Sequence, residues 1–282
     1  MLLSLGCFTV NALLIRYCTT VRHIDPWLTM CFRFAFGFVM TLAIFAPSKS
    51  MKVRGLFMSW LLASRGILGA LGTAAYYFSI GHLGAGRATL IGNTWSVWAA
   101  LMAVVALGEH LKLAKALGVA IAIFGLGLLT DISPAALAQD GKWEAISLGG
   151  AIAAAMVIVV IRQLTRTETS ATIFASQCVY GILFALPFVV SGHHELSGKD
   201  YLYLCTAASC AAMGQLAMTE GFRFLTVAVG GAFQLILPLL ISLGGVLFFD
   251  EHFSSIQTVG GALILAGSFQ TVVGMRWRRA RR

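Results

Sequence analysis

Charged residues are scarce in this chain: only 11% of its 282 residues are Asp, Glu, Lys or Arg, whereas 59% are hydrophobic. A soluble domain carries about 25% charged residues. The mean hydropathy is correspondingly high, at +0.86. This composition excludes a water-soluble globular protein and predicts an integral membrane protein.

Groups that would carry catalysis or hold a cofactor are also missing. The six cysteines are scattered through apolar runs without a CxxC pair, so we expect free buried thiols. No HExxH motif, nucleophile–base pair or ATP-binding motif occurs. His193-His194-Glu195 falls short of the closed ligand sets that zinc sites use. We therefore expect no enzyme, no cofactor and no metal site.

The net charge of +9 does not indicate nucleic acid binding, because the basic residues lie in loops and in the tail at 276–282. In a membrane protein such a tail sets orientation and contacts anionic lipid headgroups. The partners we expect are a lipid bilayer and a small-molecule substrate. The sequence leaves open whether the chain forms a homodimer.

Ten apolar runs fill the chain, and each is long enough for a membrane-crossing helix of about 20 residues. The runs lack the alternation that barrel strands require. The first run begins at the N-terminus without a basic segment, so we predict a first span rather than a cleaved signal. The predicted spans are 2–18, 27–46, 55–80, 86–107, 113–130, 144–162, 171–191, 200–221, 226–249 and 256–275.

The stretch from 69 to 125 occurs twice, at an offset of 142 residues and without a gap. Because this offset is about half the chain, we predict two five-helix units, residues 1–141 and 142–282. Internal repeats in an apolar chain are typical of transporters. The matched pairs are Gly72 and Gly214, Ala75 and Ala217, Leu83 and Leu225, Leu101 and Leu243, Glu109-His110 and Glu251-His252, Gly118 and Gly260, and Gly125 and Gly267.

The distribution of Lys and Arg predicts the orientation. With the N-terminus inside, thirteen basic residues fall on the cytoplasmic side and five on the outer side, which places both termini in the cytoplasm. An odd number of spans per unit inverts the second unit relative to the first. We therefore predict an all-α membrane protein with two inverted five-helix repeats, an architecture that suits alternating access.

Two arginines inside predicted spans are the first candidates for substrate binding. Arg65 is ten residues into span 55–80, which predicts a position near the middle of the bilayer, and Arg33 lies about two turns from the outer end of its span. A charge at that depth costs a few kcal/mol and is rarely idle. Since no acidic residue lies at matching depth, an anionic or zwitterionic substrate would supply the counter-charge. The alternative is that the arginines pair with backbone carbonyls or snorkel.

Several other side chains are candidates for the same cavity. The spacing of Arg65, Gly69, Gly72 and Tyr76 places them on one helix face, with the two glycines leaving a groove. The alternative for the amides is a helix–helix hydrogen bond, and for the aromatics lipid or core packing. The remaining candidates are Asn11, Tyr77, Asn93, Trp95, Trp98, Gln177, Tyr180, Gln215 and Gln234.

Glu109 and Glu251 each end an apolar run just before the next run begins. A carboxylate in that position caps free N–H groups at a helix N-terminus, and we favour this role over proton coupling. Whether these carboxylates also titrate stays open.

The sequence resembles the EamA type of the drug/metabolite transporter superfamily over nearly its whole length, in two copies. The resemblance rests on the second-helix arginine in Cys31-Phe32-Arg33-Phe34 and on the runs Arg65–Ala70, Tyr76–Phe78, Ala88–Leu90 and Leu107–Leu111. It implies a ten-helix secondary transporter of the inner membrane with a central cavity, with helices 5 and 10 apart from that cavity. The family usually has a proline in the middle of helix 4, where this chain has Ser96. Pro238 stands at the equivalent point of helix 9, so unequal bending of the two halves is expected.

These observations predict a secondary transporter that exports amino acids or other zwitterionic or anionic metabolites by alternating access. The first alternative is an importer or exchanger of nucleotide-like metabolites. A membrane-embedded lipid-modifying enzyme is a remote alternative, because it would need a cluster of His or acidic residues at one interface. The sequence leaves open the substrate, the direction of transport, the coupling ion and the oligomeric state.

Overall fold

Helices make up all the regular secondary structure that the structure describes. It is a computed structural model, and it describes residues 1–45, 57, 59–107, 113–130, 141–164, 167–192, 196–224 and 233–274. The predicted all-α membrane class is confirmed. The helical segments are α1 (Leu2–Thr20), α2 (Pro26–Phe45), α3 (Trp60–Leu83), α4 (Ala85–Gly92), α5 (Trp95–Leu107), α6 (Leu113–Thr130), α7 (Gly141–Leu164), α8 (Ser170–Ser191), α9 (Gly198–Phe224), α10 (Ile236–Phe249) and α11 (Ser255–Gly274).

Three of these helices are by themselves long and apolar enough to cross a membrane: α1, α2 and α8. Shorter apolar helices lie at Ala116–Leu129 and Ile236–Phe249. Most helix bounds agree with the predicted spans to within a few residues. The count of ten spans remains a prediction.

The start of α3 differs from the prediction. The helix begins at Trp60 because the Ser59 side chain accepts a hydrogen bond from the Leu62 N–H and caps the N-terminus. Arg65 is therefore in the second turn, about 8 Å along the axis from the first helical residue at 1.5 Å per residue. Arg65 is thus closer to the end of α3 that is predicted to be cytoplasmic than the predicted span 55–80 implies, and its depth in the bilayer stays a prediction.

The predicted span 86–107 is broken into α4 and α5 at Asn93 and Thr94. The Thr94 hydroxyl donates to the Ile91 carbonyl at 2.7 Å, so the turn satisfies its own polar groups. A turn also occurs at Leu235, immediately before α10, and residue 235 is 142 positions after residue 93. Span 4 thus breaks without the family's proline. The unequal bending of the two halves stays a prediction.

The helices pack in pairs that join the first half of the chain to the second. α1 packs on α9, α2 on α8, and α3 on both α7 and α8. The largest buried cluster of the described residues lies among α1, α2, α3, α4, α8 and α10 and includes Met30, Phe34, Tyr77 and Ile241. α6 and α11 pack chiefly on each other, at the edge of the bundle.

Glycines bring α6 and α11 into close contact. A Cβ on Gly118 would lie 2.9 Å from the Gly267 carbonyl oxygen, and one on Gly125 would lie 2.7 Å from that of Gly260. Gly118 precedes Gly125, whereas Gly267 follows Gly260, so the two helices run antiparallel. The repeat matches Gly118 to Gly260 and Gly125 to Gly267. Each glycine therefore contacts the repeat equivalent of the other glycine on its own helix.

Candidate functional site

Arg65 of α3 is the central feature of the candidate site. Its side chain is buried, with 4% of the residue exposed, and Nη2 donates to Gln177 Oε1 of α8 at 2.8 Å. Nε and Nη1 are also buried and have no hydrogen-bond partner. Arg65 is therefore a buried cation with one neutral partner and two unused donor atoms.

Glycine at position 69 is required by this arrangement. A Cβ there would collide with Arg65 Nη1 and would lie 3.1 Å from Gln177 Nε2. Gly66 similarly makes room for the ring of Tyr180, because its Cβ would lie 2.5 Å from Cδ2 of that ring. Gly72 lies at the contact with α7, where an added Cβ would be 3.6 Å from the Gly150 carbonyl oxygen.

Arg33 of α2 contacts α3 at Tyr77, about 18 Å along the helix axis from Arg65 at 1.5 Å per residue. Its Nη1 donates to the Tyr77 hydroxyl at 3.1 Å, and its guanidinium carbon is 5.7 Å from the centre of that ring. Both arginines thus have a neutral side chain as their hydrogen-bond partner.

Tyr76, the neighbour of Tyr77, points to a different partner. Its hydroxyl is 2.8 Å from Thr89 Oγ1 and links α3 to α4. The two tyrosine rings are 6.4 Å apart. Tyr76 is therefore held at the α3–α4 contact, about 16 Å along α3 from Arg65 at 1.5 Å per residue.

The other predicted site residues differ in how their polar groups are used. Asn11 donates to the Ala207 carbonyl at 2.8 Å and is used in the contact between α1 and α9, which is the alternative considered for it. Trp98 donates from Nε1 to Thr94 Oγ1 at 3.1 Å and stabilises the break. By contrast, Asn93 Nδ2 and Gln234 Nε2 are buried without a partner. Both amides lie at the helix breaks. Trp95 and Gln215 are half-buried.

A second polar site lies where α3 meets α4, around Glu251. This carboxylate accepts from the N–H groups of Ala85 and Gly86 at 2.6 and 3.0 Å. The expected capping role is confirmed for Glu251, although the helix that it caps is α4, which belongs to the first half of the chain. A Cβ on Gly84 would lie 2.6 Å from Glu251 Oε1, so glycine is needed for this approach. Glu109 lies outside the described residues.

Arg16 completes this second site and was not among the predicted site residues. Its Nε is 3.3 Å from Glu251 Oε1, and its Nη1 donates to the carbonyls of Ile80 and Gly81. The sequence places Arg16 near the end of an apolar run, a common position for a snorkelling side chain. Only the fold brings it to a carboxylate 235 positions away in the chain.

A cavity of about 200 Å³ adjoins Glu251. Arg87 lies on its wall and pairs with Glu144 through Nη2 at 2.7 Å, while its buried Nε has no partner. His82 stacks on Trp143 with ring centres 3.5 Å apart. The cavity is lined by Arg16, His82, Leu83, Gly84, Arg87, Glu251, His252 and Phe253.

Comparison with known proteins identifies the family of this chain. Residues 1–130 and 141–273 each match the EamA-like transporter family. The chain belongs to that family. The predicted resemblance is therefore confirmed, and the EamA-like chain is a small-molecule transporter and not an enzyme.

Named relatives agree with this membership. The pseudopaline exporter of Pseudomonas aeruginosa (strain UCBPP-PA14) is 23% identical over 73% of this chain and 72% of its own length. A protein of Escherichia coli (strain K12) named "Probable amino-acid metabolite efflux pump" is 24% identical over 78% of this chain and 79% of its own. A chain of known crystal structure, 17% identical, shares the fold with a TM-score of 0.64 over 98% of this chain and 99% of that one.

Membership also fixes the environment of the protein. EamA-like transporters are multi-pass proteins of the inner membrane, so the lipid bilayer and a small-molecule substrate are its partners.

Proposed function

We propose that this EamA-like transporter exports small anionic or zwitterionic metabolites, such as amino acids, and that Arg65 binds their carboxylate. The observation that carries the proposal is the Arg65 guanidinium, buried with Nε and Nη1 unpaired. A buried charge without compensation costs several kcal/mol. A bound anion would remove that cost, and a carboxylate forms two parallel hydrogen bonds with one guanidinium.

The surroundings of Arg65 support an anion over a cation. Arg33 is a second cation that contacts α3, and the hydrogen-bond partners of both arginines are the neutral Gln177 and Tyr77. The unpaired amides of Asn93 and Gln234 are donors for further polar groups of a substrate. The half-buried Trp95 and Tyr180 are the candidates for contact with its apolar part.

Export is favoured over import by the relatives, which are named as an exporter and an efflux pump. The sequence has no ATP-binding motif. We therefore propose that a gradient of an ion or of the substrate drives transport.

Alternating access is proposed on the basis of the internal repeat. The two helix breaks are 142 residues apart. In α6 and α11, Gly118 contacts Gly267 and Gly125 contacts Gly260. A two-fold axis in the membrane plane would produce both features. Under this proposal residues 1–141 and 142–282 are inverted five-helix units, and both termini are cytoplasmic.

The test compares metabolites in the medium and inside cells for the native chain, Arg65→Ala and an empty vector. We expect at least one metabolite to be enriched outside only with the native chain. Arg22→Ala is the matched control, because Arg22 pairs with Asp200 at 2.7 Å, away from the proposed site. Equal export by Arg65→Ala at equal abundance would contradict the role of Arg65.

The same experiment distinguishes export from the alternative, which is import or exchange of nucleotide-like metabolites. Accumulation of a metabolite inside the cells would favour an importer, and exchange with a nucleotide-like compound would show as its counter-flow. A carboxylate-free substrate would leave the fold unchanged and would contradict the assignment of Arg65.

A further inference from the structure

We propose that two ion pairs between the halves of the chain, Arg16 with Glu251 and Arg87 with Glu144, hold shut a gate at the end of the bundle that is predicted to face outward. Release of a substrate on that side would require both pairs to separate. This inference rests on the proposed alternating access, and it names the residues that would close one side. The gate contacts the end of α3, whereas Arg65 is in the second turn of that helix.

Both ion pairs join an arginine of residues 1–141 to a carboxylate of residues 142–282. Arg16 Nε lies 3.3 Å from Glu251 Oε1, and Arg87 Nη2 lies 2.7 Å from Glu144 Oε1. The arginines belong to α1 and α4. Glu144 is in the first turn of α7, and Glu251 lies between α10 and α11. At these contacts the first half presents cations to anions of the second half.

The two pairs lie at the same end of the bundle, around the cavity of about 200 Å³. Arg16, Arg87 and Glu251 all line that cavity. Arg16 also donates to the carbonyls of Ile80 and Gly81 near the end of α3, just before α4 begins. The two pairs therefore act on one joint between the halves.

Other contacts across this joint connect α3 and α4 to α7. The His82 ring stacks on the Trp143 ring with centres 3.5 Å apart. The Ser147 hydroxyl donates to the Ala88 carbonyl at 3.5 Å. Ser147 is only 3% exposed, so it is buried between the two halves close to the second ion pair.

The Glu251 carboxylate forms its polar contacts with the first half of the chain. Its oxygens accept from the N–H groups of Ala85 and Gly86 at 2.6 and 3.0 Å, and they lie beside Arg16. Glu251 thus connects the segment between α10 and α11 to both α1 and α4. These contacts would be lost if the halves separated at this end.

The burial of the two pairs suits a contact that opens. Both carboxylate side chains are 9% exposed, and the arginine side chains are 18% and 24% exposed. Removal of such charges from water costs free energy that offsets much of their attraction. Water that entered an opening end would hydrate all four charges again. The closed and open states can therefore be close in free energy, as an equilibrium between two conformations requires.

A third ion pair between the halves, Arg22 with Asp200, differs from these two. The Arg22 side chain is 35% exposed, and neither residue lines the cavity. Asp200 also accepts from the N–H and hydroxyl groups of Ser197 in its own half. Because exposed pairs contribute little, we leave this pair outside the proposed gate.

The experiment measures how often this end opens, with Ser147→Cys as the reporter in the purified full-length protein. Serine and cysteine are similar in size, so the new thiol should be buried when the gate is closed. A polar maleimide is added in detergent solution without substrate, and mass spectrometry gives the rate of modification at position 147. This rate is compared for the reporter chain alone and with Arg16→Gln, Glu251→Gln or both, which alter the pair farther from the reporter.

We expect each single substitution to raise the modification rate at least about fivefold, because loss of the pair shifts the population towards the open state. The double variant should not exceed the larger single effect, since either substitution alone removes the interaction. Lys142→Gln is the matched control. It also removes one charge, but Lys142 lies 5.1 Å from the centre of the Trp143 ring in its own half. Its rate should stay near that of the reporter chain.

An unchanged rate in both single variants, at an unfolding midpoint near that of the reporter chain, would overturn the proposal. So would additive effects of the two substitutions or an equal rise with Lys142→Gln. Arg87→Gln, at the second pair, should give the same rise and replaces any variant that does not fold. Because the rate is measured without substrate, it does not depend on anion binding by Arg65, and failure of the two proposals is distinguishable.

Discussion

Arg33 and Arg65 differ from the other arginines whose side chains are described. Arg16, Arg22 and Arg87 each pair with a carboxylate, whereas Arg33 and Arg65 contact a phenol and an amide. A neutral partner offsets less of the cost of burying a charge than an anion does. Under the proposed function, these two arginines are therefore the ones whose positive charge a bound substrate anion would neutralise.

Gln177→Glu tests this reasoning at the Arg65 site. The new carboxylate would form an ion pair with Arg65 and occupy the place of the substrate anion, so we expect export to fall at least about tenfold while thermal stability stays or rises. Efflux and the unfolding midpoint should be measured on the same preparations. Gln257→Glu, at the start of α11 and outside the proposed site, is the control for adding a carboxylate. Unimpaired export by Gln177→Glu would indicate that Arg65 is structural.

The sequence indicated Arg65 because a charge in an apolar run stands out. It did not indicate Gln177 as its partner, because α3 and α8 are 112 residues apart at this contact. Asn11 shows the converse: the same kind of residue in an apolar run is used in helix packing. A side chain's partner depends on which helices become neighbours.

The break between α4 and α5 needs no proline. Thr94 closes the turn, and the first N–H groups of α5 lack intrahelical partners in any case. Ser96 is the second residue of α5, and its match Pro238 is the third residue of α10. Both positions are in a first helical turn, where proline is tolerated.

Ser96→Pro should consequently be tolerated. We expect abundance and unfolding midpoint near those of the native chain, because the ring occupies a first-turn position. Leu101→Pro, in the middle of α5, should destabilise by about 3 kcal/mol or more, because it removes an intrahelical hydrogen bond and clashes with the preceding turn. Equal damage by the two substitutions would show that the break is not where α5 begins.

The crossing of α6 and α11 depends on the absence of side chains at four glycines. Gly125→Val would place Cβ 2.7 Å from the Gly260 carbonyl oxygen, so the helices must separate. We expect a destabilisation of roughly 1–3 kcal/mol, as for overpacked cores. Thermal unfolding of the purified protein measures it. Ala120→Leu on the exposed face of α6 is the control and should have little effect.

For the whole molecule, the predicted orientation is open to a direct test. Lys199 is exposed at the start of α9 and predicted to lie outside. Lys199→Cys should therefore react with a membrane-impermeant maleimide in intact cells, whereas a C-terminal fluorescent reporter should be active in the cytoplasm. The native chain, with its six cysteines, gives the background labelling. Labelling only after the cells are opened would reverse the orientation.

The sequence by itself determined the class, the helices and the family, because burial in lipid demands long apolar runs with every backbone group bonded within the helix. It also determined the internal repeat and the placement of Arg65 as a charged residue within an apolar run. Only the tertiary structure decided that Arg65 meets Gln177, that span 4 is broken and that Arg16 joins Glu251 at α4. These features depend on contacts between distant segments, and hydropathy along one segment carries no information about its neighbours.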